Sequence, residues 1–354
     1  THPGYVAIYT RTGAVYVYGG TTNVNADGNG IGTGSSSYLQ YGGTVNITAY
    51  YVGIKVTNTA STAAVYGGNL TVTSAQDGIV SPSFKIQAGR ATIKSQNIKQ
   101  DADYYALKLG GNSSSYLQCA SHIKATAATE IGGTMSSLSY ANLPNYDHVS
   151  LVAAIKVNGV EVENGRYLAS NGTSTSMSAP SSTTGYAYYK DNVLTLNNYT
   201  GSNTGTYGVY SLADLTIQQV QSSVNSLTTG SAYYGIRVRG NLTIQGLGQL
   251  KIYGGQRAVY ATGTLKVSYS QLLCYGCGIY SAGNMTLSYP MISVSQFGAA
   301  AAGTHAIESA GNISVTDGVI DVNCPDYANG QYVRGIVGKN ITISGTASLE
   351  LDTI

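Results

Sequence analysis

One phrase recurs along the second half of the chain and narrows what it can fold into. It runs Gly-Ile, a few residues, Gly-Asn, then Leu-Thr-Ile. It stands as Gly235-Ile236 with Gly240-Asn241-Leu242-Thr243-Ile244, and as Gly278-Ile279 with Gly283-Asn284-Met285-Thr286-Leu287. Further copies are Ala306-Ile307 with Gly311-Asn312-Ile313-Ser314-Val315, and Gly335-Ile336 with Asn340-Ile341-Thr342-Ile343. A weaker one is Ala258-Val259 with Gly263-Thr264-Leu265-Lys266-Val267. The steps from Leu242 to Leu265, Met285, Ile313 and Ile341 are 23, 20, 28 and 28 residues. A period in this range, carried by short apolar runs, marks a solenoid.

The residue types decide which solenoid. Each run alternates Leu, Ile or Val with Thr, Ser or Lys, a period of two that specifies strand and leaves no helical face. Two or three short strands per coil, stacked coil on coil, give an all-β, right-handed parallel β-helix. The Gly-Asn pairs are expected at tight corners, where Gly and Asn tolerate positive φ. Asn241, Asn284, Asn312 and Asn340 are expected to stack there as a hydrogen-bonded ladder.

Residues 1–134 follow the same grammar more loosely, with Thr44-Val45-Asn46-Ile47, Asn69-Leu70-Thr71-Val72 and Ala91-Thr92-Ile93 among the runs. The rhythm fails after Gly132. Residues 135–148 read as a connection, and 149–354 as a second β-helical module. That module opens on Ala154-Ile155-Lys156-Val157-Asn158-Gly159-Val160-Glu161-Val162. Two alternating runs joined by Asn-Gly specify a hairpin, here expected as an N-terminal cap, because an open coil exposes core and unpaired backbone. Residues 170–185 are rich in Ser and Thr and read as a loop. The first coil begins partway through a repeat and the last ends on a strand, as expected of a piece of a longer protein.

Composition excludes several functions. Charged residues make up 10% and the net charge is +2, so there is no electrostatic footprint for nucleic acid. No run of about 18 apolar residues is present to span a membrane as a helix. Thr1-His2-Pro3-Gly4 leads at once into Tyr5-Val6-Ala7-Ile8-Tyr9 without a signal peptide, as expected of a processed or truncated product. Cys274 and Cys277 have metal-ligand spacing, but a zinc site needs about four ligands, so small inward residues are the simpler reading. Tyrosine is the outlier, with 31 Tyr against 2 Phe and no Trp. A buried hydroxyl needs a partner, so much of this tyrosine belongs on the surface. Within strands, pairs such as Tyr50-Tyr51, Tyr104-Tyr105 and Tyr233-Tyr234 would send one ring outward.

A resemblance follows from these residues. The order Val157-Asn158-Gly159-Val160, a loop, Tyr188-Tyr189-Lys190-Asp191-Asn192-Val193-Leu194-Thr195-Leu196, then the repeats, resembles modules of bacterial cell-surface proteins. More broadly the chain is similar to the carbohydrate-binding β-helix family, with the pectate-lyase-like fold and no known lyase reaction. The resemblance implies a secreted or surface-anchored, non-catalytic protein whose partner is a polysaccharide or host glycan. It implies no required cofactor, but calcium near Asp-Gly-Ile turns. Asp27-Gly28 and Asp77-Gly78 are the matching positions, with Asp101 and Asp103 nearby in phase. In the second half the equivalent positions are Tyr207, Tyr234, Arg257, Cys277, His305 and Arg334, which depart from that pattern.

Catalysis would need paired charges, such as an acid and a base about 6.5–9.5 Å apart. The densest group is Glu308, Asp317, Asp321 and Asp326 with His305 and Arg334, and it reads as solvated loop carboxylates. One surface feature survives a phase argument. If the Ile or Val of each Gly-Ile phrase points inward, the next residue points outward. Those residues are Tyr210, Arg237, Tyr260, Tyr280 and Glu308, expected as a ligand-binding strip of rings that stack on sugars and charges that bond hydroxyls. In the first module the same column is Tyr9, Lys55 and Lys108. The rival readings are a structural or adhesive stalk with a protein partner, and a lyase or hydrolase. A monomer is expected.

Overall fold

The structure is a computed structural model, and it describes residues 5–96, 104–120, 122–276, 278–295, 305–324 and 335–353. It forms two compact units, 1–153 and 154–354.

In the first unit each coil contributes three short strands, and like strands stack in parallel. The first sheet takes Val6–Thr10, Asn29–Thr33, Ile54–Val56, Ile79–Ser81 and Leu107–Leu109. The second takes Val15–Val17, Tyr38–Gln40, Ala63–Val65, Phe84–Ile86 and Leu117–Cys119. The third is built from Thr21–Ala26, Thr44–Ala49, Asn69–Ser74 and Arg90–Ser95. Alternation puts every second side chain inside: Ile31, Ile54, Ile79 and Leu107 share a register column and are fully buried. This is the parallel β-solenoid that the period-two runs specify.

The third sheet of this unit ends on an inserted antiparallel strand. His148–Val157 pairs antiparallel with Arg90–Ser95 through Arg90↔Val152 to Lys94↔His148, and on its other side with Ile123–Ala128. Residues 135–148, expected as a connection, carry the strand Ser136–Ser137 and a 3-10 helix, Tyr140–Asn145, that buries Leu143. Antiparallel pairing here satisfies backbone groups that a bare final strand would leave open.

Two histidines flank this inserted segment. Burial lowers the pKa of His122, and burial together with the Lys94 charge lowers that of His148. A histidine whose folded pKa lies below its unfolded value takes up its proton more readily after unfolding. The stability it supports is complete above about pH 6.5 and declines as pH falls toward the folded value. The melting temperature is therefore expected to drop between about pH 7 and pH 5, and to drop less in His122→Leu. Equal slopes for the two proteins would contradict this assignment.

The second unit opens with the expected hairpin. Val157 and Val160 pair across a two-residue turn in which Asn158 (φ 51°) and Gly159 (φ 83°) are both left-handed, as a type I′ turn requires. Lys156 and Val157 then pair antiparallel with Tyr210 and Val209, the first strand of the first sheet. That sheet runs on through Ile236–Val238, Val259–Ala261, Ile279–Ser281, Ile307–Ser309 and Ile336–Val337. The second sheet stacks Val193–Asn197, Leu215–Gln219, Leu242–Gln245, Leu265–Ser268, Met285–Ser288, Ile313–Thr316 and Ile341–Ser344. The third stacks Thr200–Asn203, Val224–Thr229, Gln249–Tyr253, Gln271–Tyr275, Met291–Ser295, Val319–Cys324 and Ser348–Thr353. Leu242, Leu265, Met285, Ile313 and Ile341 fall in one register column, so the recurring phrase is the repeat itself.

The asparagine ladder forms in two runs. Asn241 donates through Nδ2 to Asp214 (3.0 Å), and its Oδ1 accepts from the Thr264 amide and hydroxyl (both 2.9 Å). Asn284 Oδ1 accepts the Asn312 amide at 3.0 Å, and Asn312 Oδ1 accepts from Asn340 Nδ2 at 2.9 Å. The preceding glycines have a different reason from the one expected. Gly240, Gly263, Gly283 and Gly311 are absent from the positive-φ positions. A Cβ at Gly263 would lie 2.5 Å from Asn241 Oδ1 and 2.8 Å from the Gly240 carbonyl, and one at Gly283 would lie 3.0 Å from the Gly263 carbonyl. Glycine suits these four positions because successive coils touch there, whereas Lys339 takes the equivalent place over Gly311 in the last described coil.

Candidate functional site

The strip predicted from phase is present. Tyr210, Arg237, Tyr260, Tyr280 and Glu308 are consecutive partners along the first sheet of the second unit. All five are half-buried, and their inward neighbours Ile236, Val259, Ile279 and Ile307 are fully buried. A second rank of residues, from the turns just before each strand, leans on this column. Tyr207 stacks on Tyr210 at 5.0 Å between centroids, and Tyr234 meets Tyr260 at 5.0 Å. Tyr260 and Tyr280 stack at 5.0 Å with an interplanar angle of 19°.

The two charges in the strip are held by this rank rather than left free. Arg237 donates through Nη1 to the Tyr207 hydroxyl at 2.9 Å, and its guanidinium lies 5.6, 5.1 and 5.9 Å from the Tyr207, Tyr234 and Tyr260 centroids. Glu308 accepts from Arg257 Nη2 at 2.7 Å, and Arg257 also sits 4.8 Å from the Tyr280 centroid. Burial, the main cause, raises the Tyr280 phenol pKa, helped by Tyr260 and Glu308 and opposed by Arg257. The result is a rigid wall of rings, guanidinium groups and hydroxyls. Stacked rings cover one another's faces, so the strip presents mainly edges and hydroxyls at the coil spacing of about 4.8 Å. The expected stacking of sugars on each ring does not fit this orientation.

Sequence reasoning overlooked an aromatic column in the first unit. Tyr18, Tyr41 and Tyr66 close the second-sheet strand in three successive coils and stack at 5.3 and 5.0 Å, with Lys85 5.6 Å from the Tyr66 centroid. Tyr16 extends the stack at 6.1 Å. Tyr18 is 73% exposed and Tyr41 45% exposed. The signal was in the sequence as a repeated Tyr-Gly-Gly, at Tyr18-Gly19-Gly20, Tyr41-Gly42-Gly43 and Tyr66-Gly67-Gly68. Gly20, Gly43 and Gly68 are all left-handed, so each corner turns sharply and leaves its tyrosine outside. The Tyr50-Tyr51, Tyr104-Tyr105 and Tyr233-Tyr234 pairs, expected to alternate along strands, lie in turns instead.

The structure does not bring the two calcium candidates together. Asp77 is buried, and its Oδ1 accepts the Tyr105 amide at 2.9 Å while Oδ2 lies 3.6 Å from Lys108 Nζ. Burial raises its pKa, against the lowering pull of the Tyr105 amide and of Lys108. Its counterpart two coils earlier is Asn29, whose Oδ1 accepts the Val52 amide at 3.2 Å. Asp27 sits two residues before that position and is exposed. Two coils separate the pair by about 10 Å at the spacing of stacked strands, too far to share one ion. Among the described residues there is no cluster of three or more His, Cys, Asp or Glu able to hold a metal. Asp101, Asp103, Cys277, Asp326 and Arg334 lie outside the described residues.

The remaining expectations resolve into architecture. Asp317 occupies a left-handed turn position, φ 54°, where its Oδ1 accepts from the Thr346 amide (2.8 Å) and hydroxyl (3.0 Å). Those bonds hold its carboxyl below the usual range. Asp321 lies in the third sheet and accepts from the Ser293 hydroxyl at 3.3 Å. Glu308 belongs to the first sheet, Asp317 to a turn and Asp321 to the third sheet, so the three carboxylates do not share one face. The Cys274 side chain is buried between Ile252 and Val294 in the core column. In the first unit Tyr9, Gly32, Lys55, Val80 and Lys108 form the expected outward column. No helix is long and apolar enough to cross a membrane among the described residues.

Comparison with known proteins gives one positive result. Neither the curated proteins nor the solved structures contain a match to this chain. Residues 7–173, nearly half of the chain, match the model of a family described as carbohydrate-binding domain-containing protein, and with its parallel β-solenoid the chain fits a carbohydrate-binding β-helix family.

Proposed function

We propose that this is a non-catalytic, extracellular glycan-binding protein of a bacterial surface, with an aromatic column on each unit that contacts the polymer. In the second unit the column is Tyr210, Arg237, Tyr260, Tyr280 and Glu308. In the first it is the Tyr-Gly-Gly ladder of Tyr18, Tyr41 and Tyr66, which falls within the family-matched stretch. The observation that carries this reading is the in-register run of tyrosines at coil spacing. Hydroxyls repeated at about 4.8 Å meet a polymer whose own hydroxyls repeat at a similar interval. Side chains already fixed by stacking and by the Arg237 and Arg257 contacts lose little further entropy on binding.

The test is retardation of the purified chain in gels containing plant or mucin-type polysaccharides. A polymer that retards the wild type is expected to bind Tyr260→Ala and Tyr41→Ala about threefold to tenfold more weakly each, the scale of one lost hydrogen bond or packing contact. Unchanged retardation in both variants would show that the columns serve packing alone, as in a structural or adhesive stalk.

A further inference from the structure

The corner between the second and third sheets of the second unit carries a groove that the columns above do not involve. Its shape follows from turn length. The connecting turns are residues 220–223, 246–248, 269–270, 289–290 and 317–318, so they shorten from four residues to three and then to two. The longer turns overhang the shorter ones, and the step encloses a groove of about 380 Å³. Four consecutive coils contribute Val224, Gln249, Gln271 and Met291 to its lining. Three coil steps at about 4.8 Å make it roughly 14 Å long.

Two tyrosines on this corner adopt a conformation that bulky residues avoid. Tyr269 has φ 50° and Tyr289 φ 49°, and both line the groove. In neighbouring coils the same turn position holds Gly246, Asp317 and Gly345, also left-handed. Gly and Asp are the residues that take this region readily; an aromatic side chain there is strained. Strain of this kind persists where the side chain has a task. The two residues are 54% and 49% exposed, so core burial does not explain them. They stack at 4.8 Å and 10°, and the Tyr289 hydroxyl bonds the Asp317 carboxylate that Thr346 fixes.

Tyr289 is the ring stacked on Tyr269, Tyr269 remains largely exposed, and Leu247 and Gly248 of the preceding coil line the same groove. Gln249 and Gln271 are adjacent in register, half-exposed, and offer amide donors and acceptors beside it. Among the described residues no charged side chain lines the groove. The backbone is also committed: the amides of Gln249, Gln271 and Met291 bond the carbonyls of Ser223, Gly248 and Ser270. An extended peptide seeking main-chain pairing therefore finds no edge here. An exposed tyrosine, an apolar wall and neutral amides suit a ligand with an apolar ring face and a rim of hydroxyls.

We propose that this groove is a further binding site beside the two columns, for a neutral oligosaccharide segment of about three sugar units, stacked on Tyr269 and held by Gln249 and Gln271. The proposal rests on the glycan-binding reading and adds to it a separate site and a ligand class.

The experiment is affinity electrophoresis of the full chain in xylan, galactomannan or mixed-linkage β-glucan, with polygalacturonate as the anionic comparison. At least one neutral polymer is expected to retard the wild type, and Tyr269→Asn to bind it at least about tenfold more weakly, the scale of one lost stacking contact. Asn tolerates left-handed φ, so this variant keeps the turn. Tyr269→Phe is expected to retain binding because the ring face remains. Retention by polygalacturonate alone, or wild-type retardation of Tyr269→Asn, overturns the proposal. If Tyr260→Ala loses retention while Tyr269→Asn keeps it, the column stands and the groove site falls. A wild-type dimer in size-exclusion chromatography that dissociates in Tyr269→Asn would assign the groove to a second copy, and would also overturn the proposal.

Discussion

Replacing Arg257 with alanine is expected to destabilise the second unit by about 2–3 kcal/mol, and to lower its melting temperature by roughly 4–12 °C for a unit of this size. The side chain is 13% exposed and bonds Glu308 Oε2 at 2.7 Å, with Glu308 itself 23% exposed. Removing the guanidinium leaves a half-buried carboxylate without this partner, and it removes a cation 4.8 Å from the Tyr280 ring. A fully buried pair broken this way loses about 3–5 kcal/mol, and partial exposure here reduces that figure. Arg257→Met with Glu308→Leu is expected to recover most of the loss, since replacing both partners leaves no uncompensated charge. Thermal unfolding of the two proteins provides the comparison. A single variant as stable as the wild type would mean that solvent already screens the pair.

The second large effect is expected at the stacked corner. Gly263→Ala should cost about 1–3 kcal/mol, the range for forcing an extra methyl group into a filled space. Its Cβ would approach backbone atoms of Gly240 at 2.8 Å, and those atoms are fixed by the Gly263 amide bond to the Gly240 carbonyl. The change also threatens the Asn241 contact to Thr264, because the new Cβ would stand 2.5 Å from Asn241 Oδ1. Lys339 holds the equivalent place over Gly311 in the last described coil, with its amide bonded to the Gly311 carbonyl, so the loss is expected at Gly263, inside the column, where coils stack on both sides. Urea unfolding midpoints measure the loss. An unchanged midpoint for Gly263→Ala would mean that the coils separate there freely.

These two sites mark where sequence reasoning reaches and where it stops. The phrase around Leu242, Leu265, Met285, Ile313 and Ile341 fixes period and phase, and phase alone places Tyr210, Arg237, Tyr260, Tyr280 and Glu308 on one outer column. Alternation says which face a side chain takes, but not the plane of its ring. The mutual covering of Tyr260 and Tyr280 was therefore hidden. So was the Arg257–Glu308 pair, whose members are 51 residues apart in sequence and two coils apart in space. Positive φ was assigned to the Gly-Asn corners by residue type, whereas the structure places it at Tyr269 and Tyr289, which residue type argues against. Local preference gives way at these two turns, and a departure of that kind points to function. The antiparallel insertion of His148–Val157 was also illegible, because pairing with Arg90–Ser95 depends on a meeting of strands far apart in sequence.

The most direct test of glycan binding without turnover combines two readings on one sample. The purified chain is run in affinity gels against plant and mucin polysaccharides, and the polymer that retards it is then incubated with the same protein. Chain length, new reducing ends and unsaturated uronates in that polymer are followed over hours. Retardation with polymer length unchanged is the predicted result. New chain ends, or no retardation by any of the polymers, would contradict it.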